Sequence, residues 1–88
     1  MNGRAYMQRV REIPCVLCEK LGLGKSPSAA HHAFDSASRS DFLTIALCYE
    51  HHQGAGGFHG LGEREFCRRY KTTEAELLGM TIEALAKA

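Results

Sequence analysis

Two cysteines two residues apart, followed later by a cysteine and a histidine with the same spacing, restrict the fold of this chain more than any other feature. They are Cys15, Cys18, Cys48 and His51. Thiolate sulfur and imidazole nitrogen are the usual ligands of tetrahedral zinc, and two intervening residues let one turn of the chain supply two ligand positions. A redox role for Cys15 and Cys18 is disfavoured because no βαβ pattern surrounds them. The spacing therefore predicts a structural zinc site.

Four histidines remain outside this predicted zinc site: His31, His32, His52 and His59. His31 and His32 are adjacent, so on an extended segment their side chains point to opposite sides. One of them can bind a metal while the other acts as a base, since histidine titrates near neutral pH. His52 directly follows a predicted zinc ligand, and the glycine-rich stretch 54–57 lets His59 turn back towards it. The pattern indicates a second, catalytic metal centre.

The size and charge of the chain narrow the remaining possibilities. The chain has 88 residues and a net charge of +1. We expect one small domain over residues 1–88, whose core needs a metal or disulfides in addition to apolar contacts. No secretory leader or membrane-length apolar run is visible, so we expect a cytoplasmic protein whose cysteines bind metal. The near-neutral charge gives no global signature of nucleic-acid binding.

Local patterns predict the elements that carry these residues. The expected helices begin near residues 4, 49, 63 and 74; we expect a short strand over 29–34 and a strand or turn over 41–48. Pro14 ends the first helix because the residue before a proline is pushed out of the helical region. Thr73 and Glu76 form a capping-box pattern that opens the last helix. Within the helix over residues 63–70 we expect Phe66, Cys67 and Tyr70 to point inward, with Cys67 as a buried residue rather than a ligand.

The order of the motifs is more specific than any one of them. It runs Cys-x2-Cys, His-His, Asp-Phe-Leu-x3-Leu-Cys-x2-His-His, a glycine-rich bend and His-Gly-Leu-Gly. This order resembles the HNH, or ββα-metal, nucleases. Residues 9–18 and the Phe66-x3-Tyr70 stretch are similar to the phage Ref-like, RecA-dependent branch, and the resemblance covers about residues 9–85. It implies an α+β fold: a small ββα-metal core with a structural zinc, wrapped by N- and C-terminal helices.

The resemblance also implies a role for individual residues. In such nucleases the residue before the key histidine binds the catalytic metal and the histidine itself activates water, which maps onto His31 and His32. The following helix contributes further metal ligands, here His52 and His59. The typical middle asparagine is absent, and Asp41 is the nearest polar residue. We expect Asp41 either to orient His32 or to cap a turn. His51 takes the place of the usual second cysteine of the second knuckle, which zinc tolerates.

The activity implied by the resemblance is metal-dependent hydrolysis of phosphodiester bonds in DNA. It would belong to a phage- or prophage-encoded endonuclease linked to recombination in a bacterial host. The expected cofactors are a structural Zn²⁺ and a catalytic Mg²⁺, Mn²⁺ or Zn²⁺. The expected partners are DNA and a RecA-type recombinase filament, with no membrane. Candidate phosphate contacts are four arginines: Arg39, Arg64, Arg68 and Arg69.

Two alternatives stay open at the level of sequence. The clustered arginines are equally typical of solvated helix faces. A non-catalytic, zinc-stabilised module that binds DNA or protein would need only the four predicted zinc ligands. Such a module gives no reason for four further histidines, so the sequence favours the nuclease.

Overall fold

The computed structural model describes residues 1–35 and 40–88. The elements follow in chain order: α1 (Gly3–Arg11), α2 (Val16–Lys20), β1 (Ala29–His32), a 3₁₀ turn (Ala33–Asp35), β2 (Thr44–Leu47), α3 (Tyr49–His52), α4 (Phe58–Leu61), α5 (Glu63–Tyr70) and α6 (Glu74–Lys87). None of the helices in these described ranges is long and apolar enough to cross a membrane. The result is a small α+β arrangement.

A two-stranded antiparallel sheet lies at the centre of the fold. β1 pairs with β2 so that His31 lies opposite Ile45 and His32 lies opposite Thr44. All four residues of β2 are buried, because α1 and α6 both pack against this strand. β2 runs directly into α3, with Cys48 as the capping residue between them. The sheet thus holds both histidines of β1 at a fixed register to the start of α3.

The structure shortens one predicted strand, divides a second predicted segment into a turn and a strand, and adds a helix after Cys15. The expected extended segment 29–34 ends at His32, because Phe34 adopts a left-handed conformation with φ of 66° and turns the chain. The segment 41–48 is a strand only from Thr44, whose hydroxyl donates to the backbone oxygen of Asp41 and closes a turn. The tight turn expected at Cys15 continues into α2. Sγ of Cys15 accepts the backbone N–H of residue 18 and so caps this helix.

The core combines apolar side chains from the sheet and the flanking helices. Its largest fully buried apolar side chains are Phe66, Leu17, Ile45, Leu47, Leu77 and Val10. Thr81 is also fully buried, and its hydroxyl accepts from the backbone N–H of Ala46 and donates to the oxygen of Leu77. The neighbouring Ile82 is 48% exposed. The polar residue therefore faces the core in this turn of α6, where it satisfies a backbone group of the central strand.

The C-terminal helices begin and end close to the predicted residues. α5 ends where Lys71 adopts a left-handed conformation. Thr73 caps α6 by accepting the backbone N–H of Glu76, but the Glu76 carboxylate binds Lys20 and Thr72 instead. Only one half of the expected capping box is therefore formed by these contacts. Phe66 is fully buried, whereas Cys67 and Tyr70 are partly buried against the core.

α4 passes so close to the chain that follows α3 that a side chain at Gly60 does not fit. A Cβ atom at Gly60 would lie 2.3 Å from the backbone oxygen of Gly54. By contrast, a Cβ at Gly79, on the exposed side of α6, would meet no atom within 4 Å. Close backbone approach of this kind is a standard reason for glycine.

We therefore expect opposite effects from two matched substitutions. Gly60→Ala should lower the free energy of unfolding by about 1–3 kcal/mol, since backbone must shift to relieve the overlap. Gly79→Ala should raise it by about 0.5–1 kcal/mol, because alanine loses less chain entropy than glycine in a helix. Urea denaturation of the metal-loaded protein measures both. Equal effects of the two substitutions would contradict the close approach at Gly60.

Candidate metal centres

The predicted zinc ligands meet at one point, which we call the cysteine site (Cys15, Cys18, Cys48 and His51). Nδ1 of His51 lies 3.7, 3.5 and 3.4 Å from Sγ of Cys15, Cys18 and Cys48, respectively. Sγ of Cys18 lies 3.7 Å from Sγ of Cys48. These sulfur atoms are too far apart for a disulfide, whose S–S bond is about 2.0 Å. All four residues are buried.

The distances match the size of a zinc tetrahedron. Zn–S bonds of about 2.3 Å and a Zn–N bond of about 2.0 Å separate tetrahedral ligands by about 3.5–3.8 Å. Burial raises the pKa of the Cys15 thiol to about 12 and lowers the pKa of His51. A thiolate at this depth needs a cation beside it, and a neutral imidazole offers the lone pair that a cation requires. The cysteine site can therefore hold a metal such as zinc.

Local structure positions these four ligands. Cys15 and Cys18 lie on either side of the first turn of α2, and Cys48 and His51 do the same at α3. The hydroxyl of Ser26 lies 3.5 Å from Sγ of Cys18. The N-terminal ends of α2 and α3 therefore meet at the cysteine site. Each of these helices is too short to be stable alone.

Metal content gives a direct test of the cysteine site. We expect purified protein to bind about one zinc ion here, and Cys48→Ala to lose that zinc and its fold, because the bound ion supplies folding free energy. Cys67→Ala, which removes the remaining cysteine outside the site, should keep the zinc and most of the helical signal. Mass-spectrometric metal analysis and circular dichroism, before and after chelation, measure these outcomes. A Cys48→Ala protein that keeps its zinc and its fold would contradict the assignment.

A second cluster, the histidine site, consists of His31, His52 and His59, each of which offers one nitrogen within 4.8 Å of the others. Nε2 of His52 lies 3.2 Å from Nε2 of His59. The ring of His31 lies edge-on to both, with centroids 5.1 and 5.5 Å away, and packs on Phe58 at 4.4 Å. The structure thus brings together the three residues that the sequence predicted as catalytic-metal ligands.

The histidine site is electrostatically suited to a cation. Burial, and to a smaller extent the neighbouring His52 and His59, lowers the pKa of His31 to about 4. Burial, and to a smaller extent the neighbouring His59, also lowers the pKa of His52. Neutral imidazoles with inward lone pairs bind borderline ions such as Zn²⁺ or Mn²⁺ better than Mg²⁺, which prefers oxygen. Three protein ligands also leave a coordination position open, as in catalytic rather than structural sites.

His32 lies beside the histidine site but has a different partner. Its Nε2 lies 2.9 Å from Oδ1 of Asp41, and its side chain is 22% exposed where that of His31 is 4%. The other carboxylate oxygen of Asp41 lies against the first residue of α1, where a Cβ on Gly3 would approach it to 2.5 Å. The Asp41 side chain therefore contacts His32 directly, as one of the two sequence-based alternatives expected.

One open cavity of about 570 Å³ connects these histidines to solvent. Its lining includes His31, His32, His52 and His59 together with Ala30, Gln53, Phe58, Gly62 and Glu63. The glycine-rich bend between the lining residues Gln53 and Phe58 is held by two hydrogen bonds, since the Tyr70 hydroxyl donates to the oxygen of Gly56 and the N–H of Gly56 donates to Glu50. A ligand entering this cavity meets the histidine site and His32 together.

The predicted phosphate contacts have unequal surroundings. The guanidinium of Arg68 makes three hydrogen bonds, of 2.8–3.1 Å, to the carboxylate of Glu65, which compensates its charge. Arg64 and Arg69 are exposed and form no ion pair with the described part of the chain. Arg39 lies outside the described residues.

Sequence reasoning missed Glu74. This carboxylate is 4% exposed and lies 3.7 Å from Nε2 of His31. In the sequence, an acidic residue directly after Thr73 is typical of the first turn of a helix, where it interacts with the helix dipole. That position carries no signal of burial. The sequence pointed to His31 as a metal ligand and to a helix that begins near residue 74, but not to the contact between His31 and Glu74.

Comparison with known proteins places the chain in a family. A family model described as "Recombination enhancement, RecA-dependent nuclease" matches residues 2–86. The chain belongs to this family. No curated protein and no solved structure matches the chain. Membership in a nuclease family gives the two clusters of metal-type ligands a chemical context, because cleavage of nucleic acids commonly uses a bound divalent ion.

Proposed function

We propose that the chain is a metal-dependent endonuclease of the HNH type, which hydrolyses phosphodiester bonds in DNA during recombination. The observation that carries this proposal is the cavity in which the three nitrogens of the histidine site adjoin the His32–Asp41 pair. The order of β1, β2 and α3 supports a ββα-metal core. The family match supports nuclease activity and a link to recombination.

In this proposal the histidine site binds the catalytic ion and His32 acts as the base. When bound there, a divalent ion supplies positive charge to the phosphoryl oxygens and to the leaving 3′ oxygen. His32, whose Nε2 faces Oδ1 of Asp41, takes the proton of the attacking water. Asp41 acts as a positioning residue that keeps the ring oriented, in the manner of a histidine–carboxylate pair in other hydrolases. The reaction leaves 5′-phosphate and 3′-hydroxyl ends.

Exposed cations beside the cavity are proposed to hold the DNA backbone. Arg64 directly follows Gly62 and Glu63, which line the cavity, and Arg69 lies on the same helix, α5. Arg68 contributes less because Glu65 already binds it. Contacts of this kind bind phosphate without reading sequence. We therefore propose DNA as the substrate, with little sequence specificity, and a RecA-type filament as the partner that presents it.

Replacing the proposed base should affect the chemical step alone. His32→Ala should lower cleavage by about 10²–10⁴-fold, the usual contribution of general-base catalysis, while DNA binding and zinc content stay unchanged. Nicking of plasmid and single-stranded DNA, with Mg²⁺ or Mn²⁺ and with or without a recombinase filament, measures cleavage. Fluorescence anisotropy measures binding. A His32→Ala protein as active as the wild type would exclude this mechanism.

The same assay separates the nuclease from the rival zinc-stabilised binding module. Such a module would bind DNA or protein through the folded domain and cleave no substrate under any of these conditions. His31→Ala gives a further distinction. In the nuclease it weakens ion binding in the cavity, so that its defect is partly rescued by excess Mn²⁺.

The proposed role of Asp41 predicts non-additive effects. Asp41→Asn should lower cleavage, but the double variant with His32→Ala should be no slower than His32→Ala alone, because Asp41 acts through His32. Glu83→Gln, a carboxylate-to-amide change at an exposed position of α6, serves as the control and should leave cleavage unchanged. Single-turnover rates of the wild type, the two single variants and the double variant measure the coupling between Asp41 and His32. Additive losses would instead indicate a separate structural role for Asp41.

A further inference from the structure

A buried carboxylate lies beside His31 of the histidine site. Glu74 is the first residue of α6, and its side chain is 3% exposed. Its Oε2 accepts the backbone N–H of Phe34 at 2.7 Å and lies 3.7 Å from Nε2 of His31. One oxygen atom therefore adjoins both a proposed metal ligand and the residue that ends β1. Burying a carboxylate is costly, so its location calls for a physical reason.

The two ring nitrogens of His31 have different surroundings. Nε2 is sealed from solvent and has no hydrogen-bond partner in the described part of the chain, while the residue itself lines the cavity. The distance of 3.7 Å to Oε2 of Glu74 is longer than a hydrogen bond by about 0.7 Å, a gap that a small shift of the ring would have to close. A neutral imidazole carries its proton on one nitrogen only. A proton on Nε2 would face the carboxylate and leave Nδ1 with the lone pair.

Glu74 also makes a contact with Phe34, in the turn that directly follows β1. Phe34 has a φ of 66°, a left-handed conformation that is unfavourable for a bulky residue by about 1–3 kcal/mol. Its N–H is held by the Glu74 carboxylate directly after β1. A charged acceptor makes a stronger hydrogen bond than a neutral one. Glu74 thus holds the turn that follows His31 and His32.

We propose that Glu74 is a positioning residue for the catalytic ion: its carboxylate keeps the His31 proton on Nε2 and so presents Nδ1 to the ion. This inference rests on the proposed function, which makes His31 a ligand of that ion. Carboxylates that accept from the far nitrogen of a metal-binding histidine fix its tautomer and orientation, and their loss typically weakens metal binding by about 10–100-fold.

Metal binding tests the proposal without any cleavage assay. Protein loaded with one equivalent of Zn²⁺, enough to fill the cysteine site alone, is titrated with Mn²⁺, and the free Mn²⁺ is followed by electron paramagnetic resonance. We expect Glu74→Gln to bind Mn²⁺ about 10–100-fold more weakly than the wild type, since a neutral amide oxygen is a weaker acceptor for the His31 proton than a charged carboxylate. Glu76→Gln is the matched control on the same turn of α6, where the carboxylate binds Lys20 and Thr72. It should bind Mn²⁺ like the wild type. Equal affinity of Glu74→Gln and the wild type would overturn the proposal.

A second measurement needs no substitution. Long-range ¹H–¹⁵N correlation spectra of the zinc-loaded wild-type protein, without Mn²⁺, report which ring nitrogen of His31 carries the proton. We expect the Nε2–H tautomer, and the Nδ1–H tautomer would overturn the proposal even if the enzyme cleaves DNA. Conversely, absence of cleavage together with weakened Mn²⁺ binding by Glu74→Gln would count against the proposed function and leave the role of Glu74 supported. The two failures are therefore distinguishable.

Discussion

The four ligand atoms of the cysteine site hold together parts of the chain that are far apart in sequence. Cys15 and Cys18 belong to the N-terminal region, while Cys48 and His51 lie at the junction of β2 and α3. Without a cation, buried thiol and imidazole groups 3.4–3.7 Å apart stabilise the fold little. A structural zinc contributes about 10–16 kcal/mol in small zinc-finger peptides, which is comparable to the entire stability of a domain, about 5–15 kcal/mol. The two-stranded sheet and the five-residue α2 depend on that junction.

The metal-type residues were predictable from the sequence because ligand chemistry restricts both residue type and spacing. Only a few side chains bind zinc, and two-residue gaps allow one turn to present two of them. The grouping of Cys15 with His51 followed from this rule. Helices α5 and α6 also followed, since the sequence placed apolar residues on one side of each and Thr73 marks the start of α6. The turn of 54–57 was predicted to return His59 towards His52, and the two rings do lie 4.8 Å apart.

Contacts that depend on tertiary placement were not predictable. Phe34 has no sequence signal for a left-handed conformation, so the strand was expected to continue through it. The burial of Thr81 and of Glu74 arises because backbone groups of the sheet and of Phe34 need partners at those places. Apolar periodicity does not report such needs. The sequence also offered two roles for Asp41, and its contact with His32 is visible only in the structure.

His51 and His52 are neighbours on a helix of four residues, yet they belong to different clusters. Successive side chains of a helix diverge by about 100°, so α3 can present one to each side. A single peptide unit therefore forms a rigid joint between the two centres. We therefore expect that loss of metal from the cysteine site also disturbs the relative positions of the three histidines, because His51 and His52 share one short helix.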